Sequence, residues 1–246
     1  MRCLSTQGCI RNKSIIGASR WVWRLTALPL LAPLSTMCIS TAWALQGLWA
    51  GAWLADVENL SHPAVVRHLF LMALALCAGA LLLGVLAERL RRHGVGTQTV
   101  LAAVGVLCIA AELALILRLP VPSYLVWAII GSVGAATVLS FTILAEYFPN
   151  EIAGQANAAL NVLHIGGAFV LQYGIGAIID IWASEGGHYP AVAYQTAFAI
   201  VLSFQIAALI WFLAAKLLTS AGDRLKYSGT VRSGDLVANL ISRAKL

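Results

Sequence analysis

The chain has 246 residues, of which 60% are apolar and only 11% are charged. A soluble domain carries about a quarter of its residues as charged side chains. This composition leaves too few polar groups to cover the surface of one or two soluble domains, so it excludes an ordinary soluble protein. We therefore expect the chain to be embedded in a lipid bilayer.

Six apolar runs are each long enough to cross the bilayer as a helix, which takes about 20 residues. Their residues do not alternate between apolar and polar as the strands of a membrane barrel do, and a helix pairs its own backbone groups in lipid. Pro, Gly and charged residues mark the breaks between the runs. The predicted fold class is all-α, a polytopic membrane protein with six transmembrane helices: Leu25–Leu54, Leu69–Ala87, Thr99–Leu117, Tyr124–Tyr147, Ala156–Ile181 and Ala193–Leu218.

The basic residues predict an orientation, because Lys and Arg concentrate in cytoplasmic segments. With the N-terminus placed inside, all 16 basic residues except Arg67 and Arg118 fall in inner segments. We therefore predict a multi-pass protein of the inner (plasma) membrane with both termini cytoplasmic. It would comprise a basic N-terminal segment (1–24), for which disorder is one interpretation, a six-helix bundle (25–218) and a cytoplasmic tail (219–246). This orientation explains the net charge of +6 without a nucleic-acid partner.

A signal peptide is an alternative interpretation of residues 1–44. The segment has a basic start and an apolar stretch, and Ala42-Trp43-Ala44 would serve as the cleavage site. However, the charged region before the apolar run is too long for this class of segment, and the run continues to Leu54. These two features favour a first transmembrane helix.

The connection between the second and third spans combines small, acidic and basic residues. Taken alone, positive-inside anchoring explains it. The segment also resembles the loop signature of the major facilitator superfamily, G-x-L-A-D-R-x-G-R-R. The matching residues are Gly84, Leu86, Ala87, Arg89 and Arg92, with Glu88 as a conservative replacement for the acid, whereas Arg91 and His93 depart from the pattern.

The connection between the fourth and fifth spans adds a second match. It is similar to the family's E-x-x-P-x-x-x-R-G-x-A loop at Glu146, Pro149, Gly154 and Ala156, with Ala153 where Arg is usual. The resemblance covers about residues 25–218. Because such transporters have two six-helix halves with the binding site between them, it implies that this chain corresponds to the second half of a permease.

Polar residues inside spans are costly in lipid and tend to line a cavity or a helix contact. Asn157, Asn161 and His164 of the fifth span share one helix face because they are spaced by four and three residues, and Gln172 lies close to the same stripe. The amides and the imidazole could bind oxygen-rich substrate groups, and His164 could carry a proton. The alternative is a hydrogen-bonded seam between helices.

Three other residues inside spans have a weaker claim to a functional role. Gln46 and Trp49 of the first span form a weaker substrate-lining candidate, for which interfacial aromatic anchoring is the alternative. Glu112 is the only acid well inside a span. It could couple transport to protons, but pairing near Arg118 or an outward-pointing side chain is the favoured interpretation.

No catalytic motif emerges from the sequence. It contains no nucleophile elbow, no H-E-x-x-H pair, no phosphate-binding loop and no C-x-x-C pair, so we expect no enzyme, cofactor or metal site. The leading hypothesis is a secondary transporter, complete or as a half permease, that moves a small-molecule substrate by alternating access. Its partners would be the bilayer and a second six-helix half or second copy. The alternatives are a non-transporting membrane scaffold or remnant fragment and a membrane enzyme with an unrecognised site.

Overall fold

The computed structural model describes residues 33–184, 186–214 and 216–217. The predicted segments 1–24 and 219–246, the start of the first span at Leu25 and most of the alternative signal peptide lie outside these residues. Within them the regular elements are all helices, which confirms the all-α fold class.

Six helices fill the described residues. Helices α2 to α6 are each long and apolar enough to cross a membrane, and α1 corresponds to the remaining predicted span. The helices are α1 (33–44, a π-helical turn Leu45–Trp49, and Ala50–Asp56), α2 (His62–Arg92), α3 (Thr97–Ile116), α4 (Ser123–Gly134 and Thr137–Tyr147), α5 (Asn150–Ile179) and α6 (Ala191–Ala214).

Two helices extend by more than one turn beyond the spans predicted from hydropathy. Helix α2 begins at His62, before the predicted Leu69, and continues past Ala87 to Arg92, so the segment interpreted as a loop belongs to its last turns. Arginines are favourable there because the last turn of a helix carries a partial negative charge. Helix α5 begins at Asn150, directly after Pro149, and so starts before the predicted Ala156. Hydropathy missed these extensions because it detects the apolar part of a helix and not its polar ends.

The helices alternate in direction between two ends of the bundle. At the end that carries the α2–α3 and α4–α5 connections, Lys216 Nζ donates to Thr99 Oγ1 at 2.8 Å, and the charges of Arg91 and Glu146 interact. We call this the basic end. At the opposite end, Gln195 at the start of α6 donates to the carbonyl oxygen of Ile116 at 2.6 Å, which joins α6 to α3.

A carboxylate holds α1 to α6 at this opposite end, which we call the acidic end. Asp56 accepts hydrogen bonds from Tyr194 Oη at 2.6 Å, His188 Nδ1 at 2.8 Å and the backbone N–H of Tyr189 at 3.2 Å. Burial raises the pKa of Asp56, but these hydrogen bonds together lower it below its ordinary value. Just inside, Trp53 packs edge-on against the Tyr194 ring, so the contact is both polar and apolar.

Helices α2 and α4 cross with their backbones in close contact. A Cβ atom on Gly131 would lie 2.9 Å from the carbonyl oxygen of Met72, and one on Gly79 would lie 3.0 Å from the carbonyl oxygen of Ser132. Small residues permit such close approach between membrane helices. The glycines of this pair therefore set the distance between α2 and α4.

The outer faces of α2 and α5 are the least covered surfaces of the bundle. On α2 they carry Leu81 and Leu82, and on α5 they carry Ile165, Phe169 and Tyr173, all of which are well exposed. Apolar surface of this extent needs lipid or another protein against it. These two faces are therefore available for contact with lipid or a second bundle.

Candidate functional site

A cavity of about 380 Å³ opens between α1, the second part of α4, and α5. This volume falls in the range of about 300–1,000 Å³ that is typical of small-molecule sites. The stretch of α5 that lines it, from Asn161 to Gln172, is the middle of that helix and extends about 16 Å along its axis. The lining consists of Trp43, Gly47, Thr137, Asn161, His164, Ile165, Ala168, Phe169 and Gln172.

Two of the three helices around the cavity are irregular where they border it. Helix α1 forms a π-helical turn over Leu45–Trp49, in which the N–H of Ala50 bonds to the carbonyl oxygen of Leu45. Helix α4 is interrupted at Ala135–Ala136, directly before Thr137. π-Helical turns occur frequently at functional sites, and irregular backbone at membrane depth is tolerated where it lines a cavity or is buried in protein.

His164 is the buried polar centre of this site. The residue is only 2% exposed, and neither ring nitrogen has a hydrogen-bond partner among the described residues. Its backbone is held in place, because Ser40 on α1 donates to the His164 carbonyl oxygen at 2.8 Å. A neutral imidazole offers one donor and one acceptor, so the ring has hydrogen-bonding capacity that the described residues leave unused.

The structure brings three of the six predicted substrate-lining residues into this cavity: Asn161, His164 and Gln172. The other three lie outside the lining. Gln46, Trp49 and Asn157 each carry a buried polar atom that lacks a partner among the described residues. Asn157 lies one helical turn before Asn161 and is not among the residues that line the cavity, so its role in a site stays a prediction.

Sequence reasoning missed the aromatic part of the lining. Trp43 and Phe169 border the cavity, and both rings are substantially exposed. Thr137 also lines it, and its hydroxyl donates to the carbonyl oxygen of Gly134 across the interruption of α4 at 2.9 Å. No Pro marks the π-helical turn of α1 or the interruption of α4 in the sequence. No local signal therefore indicated which faces of these helices border the cavity.

The first loop motif forms a local charge network on the last turns of α2. Glu88 accepts hydrogen bonds from Arg91 at 2.8 Å and from Arg92 at 3.1 Å, and all three side chains are exposed. Arg89 makes no ion pair within the described part of the chain. Of the apolar members, Ala87 packs against the core and Leu86 is exposed, and nothing lies within 4 Å of a Cβ built on Gly84.

The second loop motif covers a small apolar cluster at the basic end. Ala156 packs against the buried residues Leu144, Phe148 and Leu160, while Glu146 is exposed on the other side. Pro149 caps the start of α5. Gly154 has open space where a Cβ would stand, so close packing inside the bundle does not require a glycine at this position.

A buried carboxyl lies between α3 and α6, outside the lining of the cavity. Glu112 on α3 and Gln205 on α6 are both fully buried, and Gln205 Nε2 donates to the two carboxyl oxygens of Glu112 at 2.8 and 2.6 Å. Cys108 Sγ lies 3.4 Å from the same group. The prediction that Glu112 pairs near Arg118 or points outward was therefore wrong. Its partner is 93 residues away along the chain.

Comparison with known proteins yields no relative. No protein-family model matches the chain, and no curated protein or solved structure is significantly similar to it.

Proposed function

We propose that the chain is a secondary transporter of the major facilitator type, as one six-helix half that works with a second half or a second copy. A small solute would bind in the cavity between α1, α4 and α5, and alternating access would expose that site to each side of the membrane in turn. The inner (plasma) membrane, with the basic end cytoplasmic, is the location that we propose.

The single observation that carries this proposal is a cavity with polar groups halfway along α5, in an otherwise apolar bundle. Asn161, His164 and Gln172 contribute hydrogen-bonding groups at this depth, where burying a polar group without a partner costs several kcal/mol. Substrate sites of secondary transporters lie near the bilayer midplane and are formed by interrupted helices. The π-helical turn of α1 and the interruption of α4 are such features.

The uncovered faces of α2 and α5 support the need for a second bundle. The cavity is open on the side where Ile165 and Phe169 are exposed, and lipid would fill it if no other protein covered it. Asn161 is exposed in the same region, and an amide is unfavourable in contact with lipid chains. A second six-helix half would close the cavity and shield this amide.

The two loop motifs support the same family. Both lie at the basic end, as the resemblance requires, and the exposed Glu88, Arg91 and Arg92 network leaves Arg89 free to interact with another bundle. We propose that the second half contacts this surface. Arg89 is the residue whose replacement by Ala would test that contact.

Cysteine accessibility tests alternating access without knowledge of the substrate. In a background with the chain's five cysteines replaced by alanine, Asn161→Cys would be expressed in the native host. Right-side-out and inside-out membrane vesicles would then be treated with a membrane-impermeant maleimide. Transport predicts labelling in both preparations, because the cavity opens to each side in turn.

The matched control is Val162→Cys, one residue along α5, whose side chain is 70% exposed on the apolar face. Covered by lipid or protein, it should resist the reagent in both preparations. Labelling of Asn161→Cys from one side only, or from neither side, would contradict the transport proposal. A non-transporting scaffold predicts that result, because its cavity does not open to the two sides of the membrane in turn.

A further inference from the structure

The lining of the cavity between α1, α4 and α5 contains polar groups but no formal charge. Among the lining residues within the described part of the chain there is no Asp, Glu, Lys or Arg. The buried carboxyl of Glu112 lies instead between α3 and α6, where Gln205 donates hydrogen bonds to it. Burying an ion with no counter-charge costs several kcal/mol, so the binding of a charged substrate group to this surface is unfavourable.

The polar groups that are present can both donate and accept hydrogen bonds. Asn161 and Gln172 each offer a carbonyl oxygen and an NH₂ group, and the neutral ring of His164 offers one donor and one acceptor. Both nitrogens of His164 lack a partner among the described residues although the residue is 98% buried, with 2% exposure. A hydroxyl group has the same dual character, so each of these side chains can bind one.

The remaining lining is aromatic and apolar. Trp43 is 47% exposed and Phe169 is 71% exposed, and both border the same cavity as the amides. A ring that bears hydroxyls at its edge presents C–H groups on its face, and such a face packs well on an aromatic side chain. A lining that combines amides with aromatic rings therefore fits a ligand that has hydroxyls at its edge and C–H groups on its face.

We propose that this cavity binds a neutral, polyhydroxylated solute of the size of a monosaccharide or small polyol. Asn161, Gln172 and His164 would bind its hydroxyl groups, and Trp43 would pack against its carbon skeleton. The inference rests on the proposed function, because it names the substrate class of the same site. It adds that neutral solutes are favoured over carboxylates and amines of equal size.

Equilibrium binding tests this, with the full chain purified from its native host into lipid nanodiscs together with any second half or second copy that accompanies it. Calorimetric titration would use a panel of neutral monosaccharides and polyols, beside sugar acids and amino sugars of matched size. We expect at least one neutral member to bind saturably, and its uncharged form to bind at least tenfold tighter than the charged analogues. Asn161→Leu and Gln172→Leu should each weaken binding about tenfold, which corresponds to about 1.4 kcal/mol.

Two controls separate binding at this cavity from effects on folding. Val162→Leu, on the neighbouring exposed face of α5, should leave the affinity unchanged. In the Trp43→Phe variant, the ligand-induced change in tryptophan fluorescence should be lost while calorimetric binding persists at reduced affinity. Equal loss of binding in Val162→Leu would show that the variants act through folding, and it would overturn the assignment.

The outcomes distinguish this inference from the proposal on which it rests. If a charged analogue binds more tightly than every neutral solute, or if no neutral solute binds while Asn161→Cys is still labelled from both sides, the substrate class is wrong and transport stands. If no solute binds and the labelling is one-sided, both proposals fail. Binding that is indifferent to Asn161→Leu and Gln172→Leu would move the site elsewhere and would also overturn the inference.

Discussion

Replacing Gln205 by Leu isolates the contribution of the buried contact between α3 and α6. The wild-type amide donates to both oxygens of Glu112 at 2.8 and 2.6 Å, and both residues are 0% exposed. Leucine has a similar size, so the change removes the hydrogen bonds with little loss of packing. Of the hydrogen-bond partners among the described residues, the thiol of Cys108, at 3.4 Å, would then remain.

The expected loss follows from what buried hydrogen bonds contribute. Leaving a buried polar group without its partner costs about 1–3 kcal/mol, whereas single hydrogen bonds between membrane helices average about 0.6 kcal/mol with a maximum near 1.7. Because Gln205 contacts both oxygens of a fully buried carboxyl, we expect a value near the top of the membrane range, about 1.5 kcal/mol. Glu112→Gln keeps a hydrogen-bonding group in place and should lose less.

Reversible unfolding in mixed detergent micelles measures these free energies. The matched control is Gln155→Leu, the same substitution at an exposed position of α5. A double-mutant cycle with Glu112→Leu gives the coupling energy directly. The reasoning is refuted if Gln205→Leu costs no more than Gln155→Leu, or if the coupling lies within about 0.3 kcal/mol of zero.

Three further predictions concern packing, pH and the cavity. Gly131→Ala should destabilise the protein, since its Cβ would lie 2.9 Å from the carbonyl oxygen of Met72, whereas Gly166→Ala, where nothing lies within 4 Å, should be neutral or slightly stabilising in the same unfolding assay. The pKa of Asp56 is lower in the folded state. Its contribution to stability is therefore present above the unfolded pKa of about 4 and is lost as the pH falls through the folded pKa. Asp56→Asn should make the loss of stability at acid pH less steep, and an unchanged pH dependence would contradict the assignment. His164→Leu should retain the fold while abolishing any saturable solute binding, and binding at wild-type affinity would remove this residue from the site.

The helical fold follows from the sequence because hydropathy accumulates over many residues of a helix. Each of the five helices that could cross a membrane contains many apolar side chains, and residues such as Pro63 and Pro149 lie directly at helix starts. The ends of α2 and α5 were less predictable. Arg91 and Arg92 are helical because of the chain that precedes them, although their own hydropathy resembles that of a loop.

The site was only partly predictable, for reasons of geometry. The spacing of Asn161 and His164 indicates a shared helix face, and the structure brings both to one cavity. The contributions of Trp43 and Thr137 depend on how α1 and α4 deviate from regular helices, which no single residue signals. The pairing of Glu112 with Gln205 depends on packing between distant parts of the chain, so it could not be read from local sequence.

The π-helical turn of α1 also sets the phase of everything that follows it. Successive residues of an α-helix are rotated by about 100°, and a π-helical turn accommodates one additional residue. Regular winding with the same number of residues would leave Trp43 where it is but would rotate Trp53 and Asp56 by about 100°, away from Tyr194 and His188. Removing one residue from Leu45–Trp49 together with that change would restore the phase, because the π-helical turn absorbs this one additional residue. The cavity wall and the contact at the acidic end are thus linked by a single residue of register, and the chain can lose that residue only where regular winding replaces the π-helical turn.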